Sequence, residues 1–106
     1  MANALINAPK TAERGDTIEI KALILHPMET GFRPGTNGRM IPRNIIEKFS
    51  ARWNGEEIFA MAFSPAIAAN PFVSFFTVAR ESGRIDFLWT GDQDFRVAES
   101  VIITVT

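Results

Sequence analysis

Along most of this chain, apolar and polar residues alternate with the period of two that marks half-buried β-strands. In "TIEIKALIL", after Gly15 and Asp16, Ile18, Ile20, Ala22 and Ile24 share one face while Thr17, Glu19 and Lys21 take the other. From about Ile45 to Trp53 the same rule turns Phe49, Ala51 and Trp53 inward and Lys48, Ser50 and Arg52 outward. Asn54-Gly55 then predicts a type I′ hairpin, since both residues accept the positive φ such a turn demands. Its return strand runs from about Glu57 to Ser64. "SPAIAANP" is a loop, because Pro65 and Pro71 cannot donate to a ladder. "FVSFFTVARE" and "RIDFLWT" are expected to pair as a second hairpin about Ser82-Gly83, and Gly91 to Asp94 to make a third turn before "RVAESVIITVT". A short strand near Leu5-Ile6 is weakly indicated. No window keeps a helical period. The expectation is all-β: one domain over residues 1–106, an immunoglobulin-like antiparallel β-sandwich of about seven strands, with a small barrel as the alternative.

Several strands are apolar on both faces. Leu23 and Leu25 lie opposite Ile20 and Ile24. Phe59, Met61 and Phe63 alternate with Ile58, Ala60 and Ala62, and Phe72, Phe76 and Val78 with Val73, Phe75 and Ala79. A chain of 106 residues cannot easily shelter both sets. Covering one large apolar side chain is worth about 1.5–3 kcal/mol, so the surplus favours a permanent protein interface, with Phe59, Met61 and Phe63 as candidate contacts. The alternatives are that the long loop folds over one sheet, or that a β-bulge moves residues between faces.

Composition narrows the function. The formal net charge is -1 and the Lys and Arg residues are dispersed, so no basic patch for nucleic acid is expected. No apolar run approaches the roughly 20 residues of a membrane span. There is no cysteine, which excludes a disulfide framework, a thiolate nucleophile and a Cys-based zinc site. "MANALINAPK" has neither a basic n-region nor an apolar h-region, so that stretch alone suggests a cytoplasmic protein.

Candidate chemistry centres on "HPMETG", which holds the single histidine, His26. A metal site needs about three or four ligands, and Glu29 has no second histidine to join. For acid–base work His26 lacks a nucleophile, as no serine sits in an elbow context. The imidazole is expected instead to hydrogen-bond backbone groups of the loop and to fix where Pro27 and Glu29 go. Asp86, Asp92 and Asp94 lack the spacing of a calcium loop and are expected to be solvated turn residues. Gly35, Asn37 and Gly38 are turn chemistry, since no helix follows them. No catalytic residue, metal ligand or cofactor is therefore expected. The irregular segment from Pro27 to about Arg43 is long for a compact domain, and such loops are often functional.

Five ordered blocks, "KALILHPMETGFR", "GRMIPRNII", "NGEEIF", "NPFVSFF" and "FLWTGD", resemble the SoxZ family, from about Pro9 to Val105. The turn after Trp89 departs from that pattern, with Gly91 first and Phe95 at its end. SoxZ is the smaller subunit of the SoxYZ sulfur-carrier complex of bacterial thiosulfate oxidation. The resemblance implies an immunoglobulin-like sandwich and an obligate heterodimer with SoxY, whose flexible C-terminal arm carries the sulfur-bearing cysteine. It further implies transient contact with other Sox enzymes through the complex, and a periplasmic location reached by co-export with a signal-bearing SoxY. A chain without cysteine can only be the non-carrying half. On this reading the segment from His26 to Gly31, with Arg43 and Asn44, forms a shaped region at or near the SoxY contact, with Glu29 and Arg43 polar and Met28 packing. Purified alone, the chain could pair with itself through the same patch. The rival readings are an autonomous sandwich binding module and an enzyme centred on His26.

Overall fold

The computed structural model describes residues 4–106, so the first three residues of "MANALINAPK" lie outside it. Eight strands form two sheets: β1 (Ala4–Asn7), β2 (Thr11–Ala12), β3 (Thr17–Ile24), β4 (Ile46–Trp53), β5 (Glu56–Ala62), β6 (Phe72–Val78), β7 (Gly83–Gly91) and β8 (Arg96–Val105). The smaller sheet has the order β1-β3-β6 and the larger β2-β8-β7-β4-β5. The chain leaves the small sheet after Asn7 and joins the large one at β2, which runs parallel to β8 with Thr11 opposite Thr104. Every other ladder is antiparallel. This is an immunoglobulin-like β-sandwich.

Alternation dictates the core. The inward set of β3 (Ile18, Ile20, Ala22, Ile24) meets that of β4 and β7 (Phe49, Ala51, Trp53, Ile85, Phe87, Trp89), and all are buried. Phe49 is the hub: its ring centroid lies 4.9 Å from Trp89, 6.1 Å from Phe59, 6.2 Å from Phe87 and 6.4 Å from Phe75. Such spacings are those of favourable aromatic pairs.

The Asn54-Gly55 turn forms as expected, with φ of 52° and 85°. The second hairpin does not form. β6 pairs with β3, and β7 with β4 and β8, so Ala79 to Ser82 crosses between sheets. The physical reason is that Val73 and Phe75 on one side and Ile85, Phe87 and Trp89 on the other are all core-facing. They bury one another only across the sandwich. Asn54 fixes the crossing, its Oδ1 accepting from the Arg84 amide (3.1 Å) and its Nδ2 donating to the Ser82 carbonyl (3.2 Å).

The long segment between β3 and β4 is a two-stranded finger rather than irregular loop. The Glu29 and Asn44 amides each donate to the other's carbonyl at 2.8 Å, the Ile41 amide donates to the Arg33 carbonyl at 2.8 Å, and Pro34 bridges Met40. The molecule is elongated, 58 × 24 × 19 Å with a radius of gyration of 16.1 Å, against about 13 Å for a compact chain of this length.

Candidate partner-binding surface

Two regions stand out: the root of the finger and the outer face of the small sheet. At the root, Arg43 forks onto Asp92, Nε to Oδ2 and Nη2 to Oδ1, both at 2.8 Å. Asp92 Oδ2 also accepts from the Ile45 amide at 3.1 Å, and the Asp92 amide donates to the Ile45 carbonyl at 2.9 Å. The guanidinium holds the Asp92 carboxyl below its ordinary range, helped by the Ile45 amide and opposed by partial burial. On the finger itself, Arg33 grips Glu29, with Nη2 to Oε1 at 2.6 Å and Nε to Oε2 at 3.1 Å, which lowers the Glu29 pKa in the same way.

His26 lies beneath this clamp, 4% exposed. Its Nδ1 accepts from the Met28 amide at 2.9 Å, its own amide donates to Asn70 Oδ1 at 2.9 Å, and its ring meets Phe95 edge-on at 4.7 Å. With Nδ1 accepting, the neutral ring carries its proton on Nε2. Nε2 and Asn44 Oδ1 are both buried without a hydrogen-bond partner. The two are a donor and an acceptor that fall short of bonding geometry, although Asn44 is near enough to favour the charged ring. Burial outweighs that effect and lowers the His26 pKa. The Nδ1 lone pair that metal binding or proton transfer would use is already taken by the backbone. Among the described residues no group of three or more His, Cys, Asp or Glu is placed to hold a metal.

The predicted contact residues divide. Glu29, held by Arg33 and bridged to Asn44, and Arg43, forked onto Asp92, both lie at the finger root but pair with different partners. Met28, with φ of 51°, is only 5% exposed and its Sδ accepts from the Ile46 amide at 3.3 Å. Phe63 is 8% exposed. Both therefore pack within this chain, which corrects the expectation that they offer surface to a partner. Phe59 and Met61 are half-buried on the edge strand β5, and Phe59 lies flat on Phe75 at 4.5 Å. A bulge at Ile58, where Ala51 faces Phe59 but Arg52 faces Glu57, resets the faces of β5 there.

The apolar surplus lies instead on the outer face of the small sheet. Leu5, Leu23 and Phe72 form one row across β1, β3 and β6. Phe76 and Val78 continue it along β6, and Leu25 extends β3. All but half-buried Leu23 are exposed, Phe72 by 60% and Phe76 by 66%. Phe32 and Met40 on the finger are exposed too. The alternation of β6 carried this signal in sequence; which sheet would be left uncovered depended on the topology.

A family model described as "Sulphur oxidation protein SoxZ" matches residues 6–101. The chain belongs to the SoxZ family. That membership gives it a role in the sulfur-oxidation (Sox) system. No curated protein matches it. Among solved structures, it is similar to the sulfur carrier protein SoxY from Chlorobium limicola f thiosulfatophilum (14% identity, 100% of this chain and 81% of that one, TM-score 0.70). It is also similar to a putative superoxide reductase from Thermotoga maritima (18%, 97% and 85%, TM-score 0.73). A superoxide reductase (neelaredoxin) variant from Ignicoccus hospitalis gives 16%, 98% and 80%, with a TM-score of 0.72. At these identities the likeness speaks to the fold. This SoxZ-family sandwich thus shares its architecture with a sulfur carrier and with superoxide reductases alike, and function has to be argued from its own residues.

Proposed function

We propose that this chain is the non-catalytic subunit of a heterodimeric sulfur-carrier complex in thiosulfate oxidation, binding a SoxY subunit that bears the sulfur-carrying cysteine. The observation that carries the reading is SoxZ-family membership in a chain with no cysteine. Covalent sulfur carriage needs a thiolate, so the carrying group must belong to a partner. The exposed apolar face supports the same reading, because permanent interfaces resemble a core cut in two. Export in company with a signal-bearing SoxY, to the periplasm, belongs to the proposal.

Co-expression with a cognate SoxY, followed by size measurement, is expected to give a stable 1:1 complex. Two separately eluting chains would overturn the reading. Glu29 and Arg43 contribute by holding the finger in shape. If their replacement by alanine leaves SoxY affinity and pathway turnover unchanged, the finger has no part in the contact.

A further inference from the structure

We infer that the outer face of the β1-β3-β6 sheet is the surface on which the partner sandwich docks, sheet face against sheet face; this rests on the function proposed above. Phe72 and Phe76 are 60% and 66% exposed, and an aromatic side chain carries about 150–250 Å². With Leu5, Leu25 and Val78 the patch reaches about 300–600 Å², the size at which the largest patch of a monomer is commonly functional. It would supply the apolar centre of an interface of about 800 Å² per partner.

The polar residues within the patch decide what kind of partner it fits. Between the Leu5-Leu23-Phe72 row and Phe76 lies a row of Lys21 and Ser74, with Glu19 beside it. Ser74 Oγ donates to Glu19 Oε2 at 2.7 Å, and Lys21 Nζ lies 3.9 Å from Glu19 Oε1. The one acid and the one base neutralise each other, and the hydroxyl has its acceptor. Such a face can lose its water without leaving a charge unpaired, which is the condition for burying it against protein. It offers no net positive charge to nucleic acid or to anionic lipid. A second sandwich presents a complementary flat surface, since stacked sheets pack at about 10 Å through interleaved side chains. SoxY, a sandwich of the same fold in Chlorobium, is the occupant to which the geometry points.

The test compares the whole chain with Phe76→Arg and Phe72→Ser, and with Ile102→Ser on β8, in the other sheet, as the exposed control. Each is titrated against cognate SoxY, and circular dichroism checks that each is folded. Phe76→Arg places its guanidinium opposite Glu19, so the fold is expected to tolerate it; Phe72→Ser is the milder second variant. Phe76→Arg is expected to weaken SoxY binding by about thirty-fold or more, and the control by less than about three-fold. If the unaltered chain binds SoxY and the face variants bind equally well, this inference falls and the proposed function stands. If the unaltered chain does not bind SoxY, the proposed function itself falls. If Phe76→Arg abolishes only self-association of the isolated chain, the face belongs to a second copy and the inference is again overturned.

Discussion

Arg43 and Asp92, 49 residues apart in sequence, meet through two parallel hydrogen bonds of 2.8 Å, and this fork ties the finger to the β7-β8 turn. The Asp92 carboxyl also receives the first amide of the segment leading into β4. One side chain thereby fastens the stretch from Arg43 to Ile45 to the β7-β8 turn at two points.

Acid should loosen that fastening. The Asp92 pKa is lowered from its ordinary value of 3.8, chiefly by the Arg43 hydrogen bonds. A lowered folded-state pKa contributes stability that is present above the unfolded-state value and lost as pH falls through the folded one. The thermal midpoint is expected to decline below about pH 4. In Asp92→Asn it should be lower at neutral pH, and the acid decline shallower. Melts from pH 2 to 7 check this; parallel curves for the two proteins would refute it.

His26 should act at a higher pH, with the same sign. Burial lowers its pKa from 6.5, so its contribution is complete above that value and diminishes as pH falls from there toward the folded-state pKa. Protonating Nδ1 would set one N–H against another, that of Met28. His26→Asn keeps an acceptor for the Met28 amide while removing the titration. The expected result is a flatter stability profile between about pH 5 and 7. In the unaltered protein the imidazole NMR midpoint should lie below 6.5.

Phe59 stacks on Phe75 at 4.5 Å with 6° between the rings. Phe59→Ala removes that pair and part of the packing on Phe49. Because Phe59 is only half-buried, the loss should fall near the lower end of the about 3–5 kcal/mol typical of Phe→Ala. Urea unfolding measures it. A loss within about 0.5 kcal/mol would mean that the stack contributes little.

At Gly91, an added Cβ would lie 2.3 Å from the Ile45 carbonyl oxygen and 2.8 Å from the Ile46 Cα. Both are backbone atoms and cannot rotate away. Gly91→Ala is expected to cost about 1–3 kcal/mol and to lower hydrogen-exchange protection at the Asp92 amide, which donates to Ile45. Unchanged protection there would show that the strand pair absorbs the methyl group.

What was legible in sequence was whatever alternation encodes. The buried faces of β3, β4 and β7 follow from period two, and the Asn54 turn from its chemistry, whereas β6 is apolar on both faces and its pattern leaves the buried side open. Hairpin pairing across Ser82-Gly83 is not excluded by the pattern, because adjacency in sequence cannot separate a turn within a sheet from a crossing between sheets. The finger is invisible to the pattern because its paired residues, such as Glu29 with Asn44 and Pro34 with Met40, carry no hydrophobic alternation. The role of Asp92 is hidden for a similar reason: its partner Arg43 is remote in sequence, and no local pattern announces it. Binary patterning shows the face on which Phe63 lies but not what its own chain folds against that face, and the expectation for Met28 rests on the family resemblance, which does not show its sulfur turned inward to the Ile46 amide. Which sheet bears the exposed surplus depended on strand order, and that is a long-range property.

The finger's two clamps, Glu29 with Arg33 and Arg43 with Asp92, sit at or near its base, while the turn from Gly35 to Arg39 carries none of the sandwich core. Lengthening that tip would add only a slowly growing loop-closure term. Insertions and substitutions at the far end should thus be tolerated without retuning the scaffold, leaving this one part of the molecule free to diversify.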